Sequence, residues 1–279
     1  MHHLFSVDVE EHFQVSAFDG VLSRDEWDSQ PSRVEPNTIR LLELLGAYRA
    51  KATFFTLGWV AERHPGLVRR IVDDGHELAS HTWWHKRVFS NTVPEFREEV
   101  RRSRDILEQL SGTAVRGFRA PSFSIIPGTD WAFDVLIEEG YQYDSSLFPI
   151  RRPSYGYPGA PVYPHLITRP GGRLLELPLA TLSIGGIRVP AAGGGYLRQF
   201  PLTVIQRAFR NLEREGHPGM FYIHPWEVDP DQPRLPVGWL GRLRHYRGLS
   251  RTVERLGILL AEFRFTSVRD WLAANPQWA

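Results

Sequence analysis

The chain has 279 residues with ordinary globular proportions, 42% hydrophobic and 23% charged, which excludes an intrinsically disordered protein. It contains no cysteine, so disulfide scaffolds and thiolate zinc sites are excluded, and a bound metal would need histidine, aspartate or glutamate ligands. The formal net charge of +1 is too small to indicate a nucleic-acid-binding protein.

The amino-terminal segment MHHLFSVDVEEHF lacks the basic start and the long apolar run of a signal peptide. No stretch of the sequence approaches the roughly 18 uninterrupted apolar residues that a membrane span needs. We therefore expect a cytoplasmic protein without a transmembrane segment. The basic segment RLRHYRGLSR, residues 242–251, is interpreted as a solvated surface segment in preference to a specific anion site.

Apolar, β-rich runs alternate with amphipathic stretches in the first half of the chain. Strands are predicted at 3–10, 51–58 and 76–80, with further strand ends at 114–121 and 141–146. Helices are predicted at 36–50, 62–75, 92–112 and around 130–140. In the third helix, Thr92 and Glu95 have the spacing of a capping box, and its charged residues are interpreted as a solvated face. This alternation favours a parallel α/β sheet or barrel.

The second half of the chain is less regular. Residues 149–172 are rich in proline, glycine and tyrosine and are predicted to form a long loop. Residues 149–172 and 190–198 either line a substrate cleft or are plain connections. Strands are predicted at 173–180 and 219–226, and helices at 202–216 and 250–263. Because no break in composition indicates a linker, we predict a single domain spanning residues 1–279.

Polar side chains collect where the predicted strands end, which is where parallel α/β folds carry their chemistry. They are Asp8, Glu10, Glu11, His81, His85, Arg119, Asp144 and His224. A carboxylate with two imidazoles is a common ligand set for a catalytic divalent ion. Hydrolysis would also need a carboxylate base, an arginine to hold it and a histidine acid. Taken singly, each residue could instead be a helix cap, an ion-pair partner or a core histidine.

The segment SHTWWHK, residues 80–86, places His81 and His85 four positions apart. One turn of helix would put both imidazoles on the same face, whereas the preceding run HELAS is predicted to be a strand that delivers them at its carboxyl end. Taken alone, this pair is as often a packed pair as a ligand pair. The intervening Trp83 and Trp84 either stack on a sugar or form the wall of the site.

Several motifs resemble, in content and in order, those of the polysaccharide deacetylases of carbohydrate esterase family 4. The sequence GHELASHTWWH, residues 75–85, resembles the family motif Gly-His-x-Leu-Ala-x-His-Ser/Thr-x-x-His at every fixed position. FRAPSF (118–123), YDSS (143–146) and FYIHP (221–225) resemble later motifs of the family. The opening DVEEHFQVSAF and the tail after FYIHP resemble a subgroup associated with exopolysaccharide assembly, whose carboxyl-terminal extension would occupy residues around 225–279.

The resemblance implies a distorted, incomplete (β/α) barrel that holds one divalent metal ion, most often zinc. It also implies hydrolysis of an N-acetyl amide on a sugar, with release of acetate. The expected partner is an N-acetylated glycan, with contact to membrane-associated polysaccharide assembly machinery as a further expectation. Carried over to this chain, the implied roles are base for Asp8, orientation of that base for Arg119, general acid for His224, tuning of the acid for Asp144, and metal ligation for His81 and His85.

The opening motif departs from the family, which places two adjacent aspartates there. In this chain Val9 follows Asp8, and strand alternation puts Asp8 and Glu10 on one face with Glu11 on the other. We therefore predict Glu10 as the third metal ligand, with Glu11 as the alternative if the strand ends at Val9.

Three further residues are predicted to contact substrate. The backbone N–H near Ser122, a position where the family usually has an aromatic or small residue, would stabilise the oxyanion. Trp83 and Trp84 are candidates for stacking on a sugar ring.

Two other functions compete with deacetylation. The same fold and metal could serve a hydrolase of small cyclic amides or ureides. A non-catalytic glycan-binding component of an assembly complex is the other alternative, and it predicts loss of a catalytic residue. The complete set Asp8, His81, His85, Arg119 and His224 disfavours that second alternative.

Overall fold

The computed structural model describes residues 1–152 and 155–278, and a parallel sheet forms its centre. The strands in the described residues are β1 (His3–Val9), β2 (Thr53–Thr56), β3 (Glu77–Ser80), β4 (Gly117–Phe118), β5 (Tyr143–Asp144), β6 (His165–Arg169), β7 (Gly172–Glu176), β8 (Thr181–Ile184), β9 (Ile187–Pro190), β10 (Met220–Ile223) and β11 (Phe265–Thr266).

Helices cover the sheet in the manner expected of an α/β fold. They are α1 (Val34–Ala47), α2 (Gly58–Arg63), α3 (Pro65–Asp73), α4 (Val93–Ser111), α5 (Trp131–Glu138), α6 (Gly194–Gln199), α7 (Leu202–Glu215), α8 (Trp239–Tyr246), α9 (Thr252–Glu262) and α10 (Val268–Ala274). Within the described ranges, none of these helices is both long and apolar enough to cross a membrane.

The main sheet has the strand order β10-β1-β2-β3-β4-β5-β7-β6, and β11 also pairs with β1. Neighbouring strands are parallel except for β6 and β7, which form an antiparallel pair. Leu179, which follows β7, pairs with Met220 of β10 in one isolated parallel bridge. The predicted α/β class and distorted, incomplete barrel are therefore confirmed.

The strand β1 is an interior strand of the sheet. All seven residues of β1 are buried, because the strand has neighbours on both edges and is covered on both faces. The polar residues of the strand are consequently held in place by specific partners. Ser6, for example, donates a hydrogen bond to the main-chain oxygen of Phe221 in β10, at 2.9 Å.

Several predicted helix boundaries are set by local chemistry. The capping box is confirmed, since the Thr92 hydroxyl accepts from the Glu95 N–H and the Glu95 carboxylate accepts from the Thr92 N–H. Gly112, at φ 65°, ends the same helix in the left-handed conformation that glycine adopts readily. The helix predicted at 62–75 is confirmed as α3, but it begins only at Pro65, and residues 58–63 form the separate helix α2.

The prediction of a long loop at 149–172 is wrong in part, since β6 occupies residues 165–169 of it. Residues 153–154 of that predicted loop lie outside the described residues. Residues 190–198, expected to be either a cleft loop or a connection, end β9 and contribute most of α6. The hairpin formed by β8 and β9, the short strand β11 and the helices α8 and α10 were not predicted.

Candidate active site

Four predicted site residues meet at one rim of the barrel because each lies at the carboxyl end of a parallel strand. Asp8 is the penultimate residue of β1, and His81, Arg119 and His224 directly follow β3, β4 and β10. All four are buried or half-buried. The barrel therefore brings together residues that are up to 216 positions apart in sequence.

Arg119 holds Asp8 in a fully buried ion pair. The Arg119 Nη1 donates to Asp8 Oδ1 at 2.5 Å and to Ser6 Oγ at 2.8 Å. Its remaining nitrogens donate to the main-chain oxygen and the hydroxyl of Ser145, and its guanidinium lies 4.0 Å from the ring centroid of Phe55. With its charge paired and its donors used, Arg119 fixes the orientation of the Asp8 carboxylate.

Glu10, His81 and His85 form a cluster that fits a metal ion. One ligand atom from each lies within 4.8 Å of the others, and Glu10 Oε2 lies 2.8 Å from His85 Nε2. Glu10 Oε2 is nevertheless buried without accepting a hydrogen bond from any described residue. A buried carboxylate oxygen that converges with two imidazoles but has no donor is well suited to a cation.

The ring of His81 is held in the form that metal ligation requires. Its Nδ1 donates to the main-chain oxygen of Arg119 at 2.7 Å, which leaves Nε2 free to act as a ligand. Burial, reinforced by the neighbouring His85, lowers the pKa of His81 well below its usual value. A neutral imidazole is the ligating form of histidine, so this environment favours binding of a cation.

Glu11 has a structural role at the start of α1 and lies apart from the ligand cluster. Its carboxylate accepts from the Ser32 hydroxyl at 2.5 Å and from the main-chain N–H of Arg33 at 3.0 and 3.1 Å. It therefore satisfies backbone donors at the start of α1. The structure brings Glu10, and not Glu11, to the histidine pair.

The two histidines converge through an irregular loop and not through a turn of helix. Thr82 and His85 both have left-handed backbone conformations, with φ of 66° and 52°. Such conformations are rare for these residue types and are concentrated at functional sites. Glu99 of α4 stabilises the loop, because its Oε2 accepts from the main-chain N–H of both Trp83 and Trp84 at 2.9 Å. The interpretation of the α4 charges as a solvated face is thus wrong for Glu99.

The carboxylate that contacts His224 is Glu227, where the prediction placed Asp144. Glu227 Oε1 lies 2.8 Å from His224 Nδ1, and its Oε2 accepts from Arg198 Nε at 2.9 Å. The chain turns in a short 3₁₀ helix after Pro225, which returns the third residue after His224 to the imidazole.

Asp144 is not among the described carboxylates that pair with this histidine. Its Oδ1 accepts from the Ser146 hydroxyl at 2.5 Å. Burial raises the pKa of Asp144 to about 6, and burial together with Asp144 raises the pKa of Glu176 far above its usual value. The two form a buried carboxyl pair that retains a proton at neutral pH. The predicted tuning of His224 by Asp144 is therefore corrected to Glu227.

Neighbouring carboxylates stabilise the positively charged form of His224. Burial lowers its pKa, but the carboxylates of Glu10, Glu227 and Asp8 outweigh this and raise the pKa to about 9. Its Nε2 lies 3.5 Å from Glu10 Oε1 and 3.9 Å from Asp8 Oδ2. At neutral pH the ring is thus an imidazolium whose free N–H points toward the cluster.

The predicted substrate contacts have different outcomes. Trp83 is only 3% exposed, and the Arg102 guanidinium covers its ring at 3.5 Å, so the prediction that it stacks on sugar is wrong. Trp84 is half-buried and lines a cleft of about 480 Å³, where sugar contact stays a prediction. Ser122 lies in a turn after Arg119 with a left-handed φ of 53°, and its role as a backbone donor also stays a prediction.

The packing of Trp83 gives a direct stability test. A Cβ at Gly58 would lie 2.4 Å from Trp83 Cε3, so Gly58→Ala is expected to lower the free energy of unfolding by about 1 to 3 kcal/mol. Gly66→Ala is the matched control, since that helical glycine has open space at the Cβ position and alanine there should be neutral or stabilising by up to about 1 kcal/mol. Urea unfolding of both variants measures the difference, and equal stability would contradict this packing.

The choice between the two glutamates is tested by metal content. Glu10→Ala is expected to lose bound metal, because it removes the carboxylate beside His85. Glu11→Ala should keep its metal while losing about 1 kcal/mol of stability as a helix cap is removed. Metal analysis after dialysis, with urea unfolding alongside, separates the two effects. Loss of metal from the Glu11 variant alone would show that the ligand was wrongly chosen.

Comparison with known families divides the chain into two matched regions. The profile of the family described as "Polysaccharide deacetylase" matches residues 26–141, and that of "Domain of unknown function (DUF3473)" matches residues 145–273. Both regions contribute strands to the same sheet, since β2 to β4 lie in the first and β6, β7 and β10 in the second. The proposed acid His224 and its partner Glu227 lie in the DUF3473 region.

A relative of known name and two solved structures resemble the chain. Peptidoglycan-N-acetylglucosamine deacetylase of Bacillus cereus is 29% identical over 149 residues, which are 49% of this chain and 53% of that protein. This chain spans about half, or less, of the length of the first such relatives.

The solved structures support the fold. A Mycobacterium smegmatis structure, described as a candidate polysaccharide deacetylase, aligns with a TM-score of 0.64 at 19% identity and covers 99% of this chain and 91% of its own. A carbohydrate esterase family 4 pseudoenzyme from Bacillus anthracis has a TM-score of 0.52 at 15% identity and covers 96% and 64%. Residues 26–141 thus match the polysaccharide deacetylase family and residues 145–273 match DUF3473, and the solved structures show that this chain shares their fold.

Proposed function

We propose that the protein is a metal-dependent deacetylase that hydrolyses the N-acetyl amide of amino sugars in a polysaccharide. The observation that carries the proposal is the placement of a carboxylate base and an imidazolium acid beside one ligand cluster. Asp8 Oδ2 and His224 Nε2 are 3.9 Å apart, and His224 Nε2 lies 3.5 Å from Glu10 of that cluster. Amide hydrolysis needs a proton acceptor for the attacking water and a proton donor for the leaving nitrogen.

The cluster Glu10, His81 and His85 would hold one divalent cation, and we propose zinc because two imidazoles and a carboxylate are ligands that zinc accepts in catalytic sites. When bound there, the cation would supply Lewis acidity toward the acetyl carbonyl and lower the pKa of water.

Two residues of the chain then carry out the two proton transfers. Asp8, held in position by Arg119, accepts a proton from the attacking water as the water oxygen bonds to the acetyl carbon. His224 donates its Nε2 proton to the nitrogen as the carbon–nitrogen bond breaks, which releases acetate and a free amine. Glu227 keeps His224 charged and correctly turned throughout, since it contacts the opposite ring nitrogen.

The identity of the polymer is a further part of the proposal. We propose an exopolysaccharide, on the resemblance of the opening motif and of the tail to the subgroup associated with exopolysaccharide assembly. The Bacillus cereus relative is named as a peptidoglycan deacetylase, so peptidoglycan is the alternative substrate. Both polymers carry N-acetylated amino sugars, so the proposed chemistry is the same for each.

Catalysis is favoured over a binding role by the completeness of the site. The Bacillus anthracis relative is a pseudoenzyme, so the fold alone does not ensure activity. In this chain Asp8 and Arg119 are in direct contact, and His224 has both a carboxylate partner and access to the cluster. A scaffold that only bound glycan would have no use for this pairing.

An acetate-release assay tests the proposal. Purified protein loaded with zinc would be incubated with chitooligosaccharides, peptidoglycan fragments, an N-acetylated exopolysaccharide and a cyclic imide. We expect acetate from at least one glycan, loss of release after chelation, and recovery on adding the metal back. Ring opening of the imide without acetate from any glycan would favour the cyclic amide hydrolase, and binding without turnover would favour the non-catalytic component.

A further inference from the structure

Helix α8 turns its apolar side chains away from the protein. Trp239 is 72% exposed, the highest value among the large hydrophobic side chains of the described residues, while Leu240 and Leu243 are 48% and 41% exposed. At 100° per residue these three side chains share one arc of the helix, and Arg242 and Arg244 flank it. The usual amphipathic pattern of a surface helix is thus reversed.

The carboxyl-terminal end of α8 is fixed to the protein by polar and aromatic contacts. His245 Nε2 lies 2.7 Å from Gln232 Oε1, and the Tyr246 hydroxyl accepts from the Leu235 N–H at 2.9 Å. Arg198 donates to the main-chain oxygen of His245 at 2.9 Å. His245 lies opposite the arc of Trp239, Leu240 and Leu243, whereas Tyr246 is on the side of Trp239 but is buried at the last turn. The exposed apolar arc is therefore confined to the first five residues of the helix.

The chain segment that carries α8 is basic. Between residues 232 and 253 the sequence has five arginines and no acidic residue, although the whole chain has a net charge of only +1. Just after α8, the side chains of Arg247, Arg251 and Arg255 line a cleft of about 480 Å³. Guanidinium groups beside exposed tryptophan and leucine are the composition of helices that lie in the headgroup region of anionic membranes.

We propose that α8 docks the protein on an anionic lipid bilayer. Trp239, Leu240 and Leu243 would enter the boundary between headgroups and acyl chains, and Arg242, Arg244 and Arg247 would contact lipid phosphates. A single convex helix that combines exposed apolar residues with arginines fits a bilayer better than it fits a protein groove. The sequence segment interpreted as a solvated surface, residues 242–251, thereby gains a specific partner.

The docking surface adjoins the active site. His245 of α8 stacks on Trp226 at 4.1 Å between ring centroids, and Trp226 stacks on His224 at 5.0 Å. Docking would therefore hold the site close to the bilayer, where it could meet a glycan attached to a lipid or emerging at the membrane. This consequence rests on the proposed deacetylase function, whereas the docking itself does not.

Vesicle sedimentation with the full chain tests the docking. We expect the protein to sediment with vesicles that contain phosphatidylglycerol, to bind vesicles of phosphatidylcholine alone much more weakly, and to dissociate as salt is raised. The double variant Arg242→Glu, Arg244→Glu should weaken binding at least about 25-fold, since each arginine near an anionic surface contributes about fivefold.

The apolar part is tested with Trp239→Ser, Leu243→Ser. This variant should also lose binding, together with the quenching of tryptophan fluorescence by brominated lipid. Ile187→Ser is the matched control, because Ile187 is 69% exposed on the β8–β9 hairpin and its loss should leave vesicle binding unchanged. Acetate release from a soluble glycan should be unaffected in all three variants, so a failed deacetylase assay and a failed docking assay are distinguishable.

Three outcomes would overturn the docking proposal. One is the absence of sedimentation with anionic vesicles at low salt. Another is binding that is equal in the wild type and in the correctly folded Trp239 variant, as judged by circular dichroism. The third is self-association in solution that disappears in that variant without any vesicle binding, which would assign the surface to a second copy of the chain.

Discussion

Asp8→Asn is expected to reduce turnover by at least about 10²-fold while leaving the metal bound, because asparagine cannot accept the proton of the attacking water. Asparagine has nearly the same shape as aspartate and still offers an oxygen to Arg119 Nη1, which lies 2.5 Å from Asp8 Oδ1 in the wild type. The ligand cluster does not include Asp8. Acetate release and metal content, measured on the same preparation, check both halves of this result.

A surface aspartate provides the control for this variant. Asp74→Asn alters a carboxylate that pairs with Arg70 outside the site, and its turnover should equal that of the wild type. The Asp8 variant loses the charge that compensates the buried Arg119, so its folding must be verified by circular dichroism. A folded, metal-loaded Asp8 variant with nearly full activity would remove Asp8 from the role of base.

Glu227→Gln is expected to move the alkaline limb of the pH–rate profile to lower pH. His224 must begin as an imidazolium, and in the metal-free protein its pKa of about 9 keeps most of it protonated at neutral pH. Removing the Glu227 charge lowers this pKa, so activity fails at a lower pH and turnover near pH 8 should fall by about 10- to 10²-fold.

The pH at which the alkaline limb falls distinguishes a lowered pKa of His224 from a simple loss of folded protein. Glu227 also pairs with the buried Arg198, so the glutamine variant will be less stable, but unfolding would scale the whole profile and leave the limb where it was. Glu227→Asp, which keeps the charge, should restore part of the shift. Asp144→Asn provides the contrast, because it removes the carboxylate predicted from sequence and should not move the limb. A shift in the Asp144 variant alone would reverse the assignment.

A bound cation would make His224 depend more strongly on Glu227 for its positive charge. The negative charge of Glu10 raises the pKa of His224 more than any other group does. A cation held by Glu10, His81 and His85 would offset that charge. Glu227 lies on the opposite side of the ring and is itself held by Arg198. It would therefore remain the carboxylate that stabilises the imidazolium in the metal-loaded protein.

The main features of the fold could be predicted because strong local patterns agreed with the tertiary structure. The run 3–10 is apolar and β-rich, and it forms β1, a buried interior strand. The helix predicted at 92–112 carries its own capping box. Prediction failed where the local signal was weak or opposed. The strand β6 is an edge strand inside a segment rich in proline and glycine, and α8 has an amphipathic pattern that faces the wrong way for a packed helix.

Within the site, strand alternation favoured Glu10 over Glu11, since a strand directs neighbouring side chains to opposite faces. The strand β1 ends at Val9, which is the condition under which Glu11 was the alternative, yet the structure still brings Glu10 to the histidines. The partner of His224 could not be inferred from strand ends, because Glu227 reaches it through a turn after the strand. The sequence His-Pro-x-Glu has the spacing of a capping box, and that spacing was the available signal. Glu99 carried no comparable signal, since it lies among the many charges of α4.

A product balance on one N-acetylated glycan tests directly whether this site is a deacetylase. Metal-loaded protein should release acetate and free amine in equal amounts, and in water enriched in ¹⁸O the acetate should carry one labelled oxygen, as attack by water requires. Chelation should stop both products, and added zinc should restore them. Glycan binding without either product, in protein shown to contain its metal, would contradict the assignment of this site as a deacetylase.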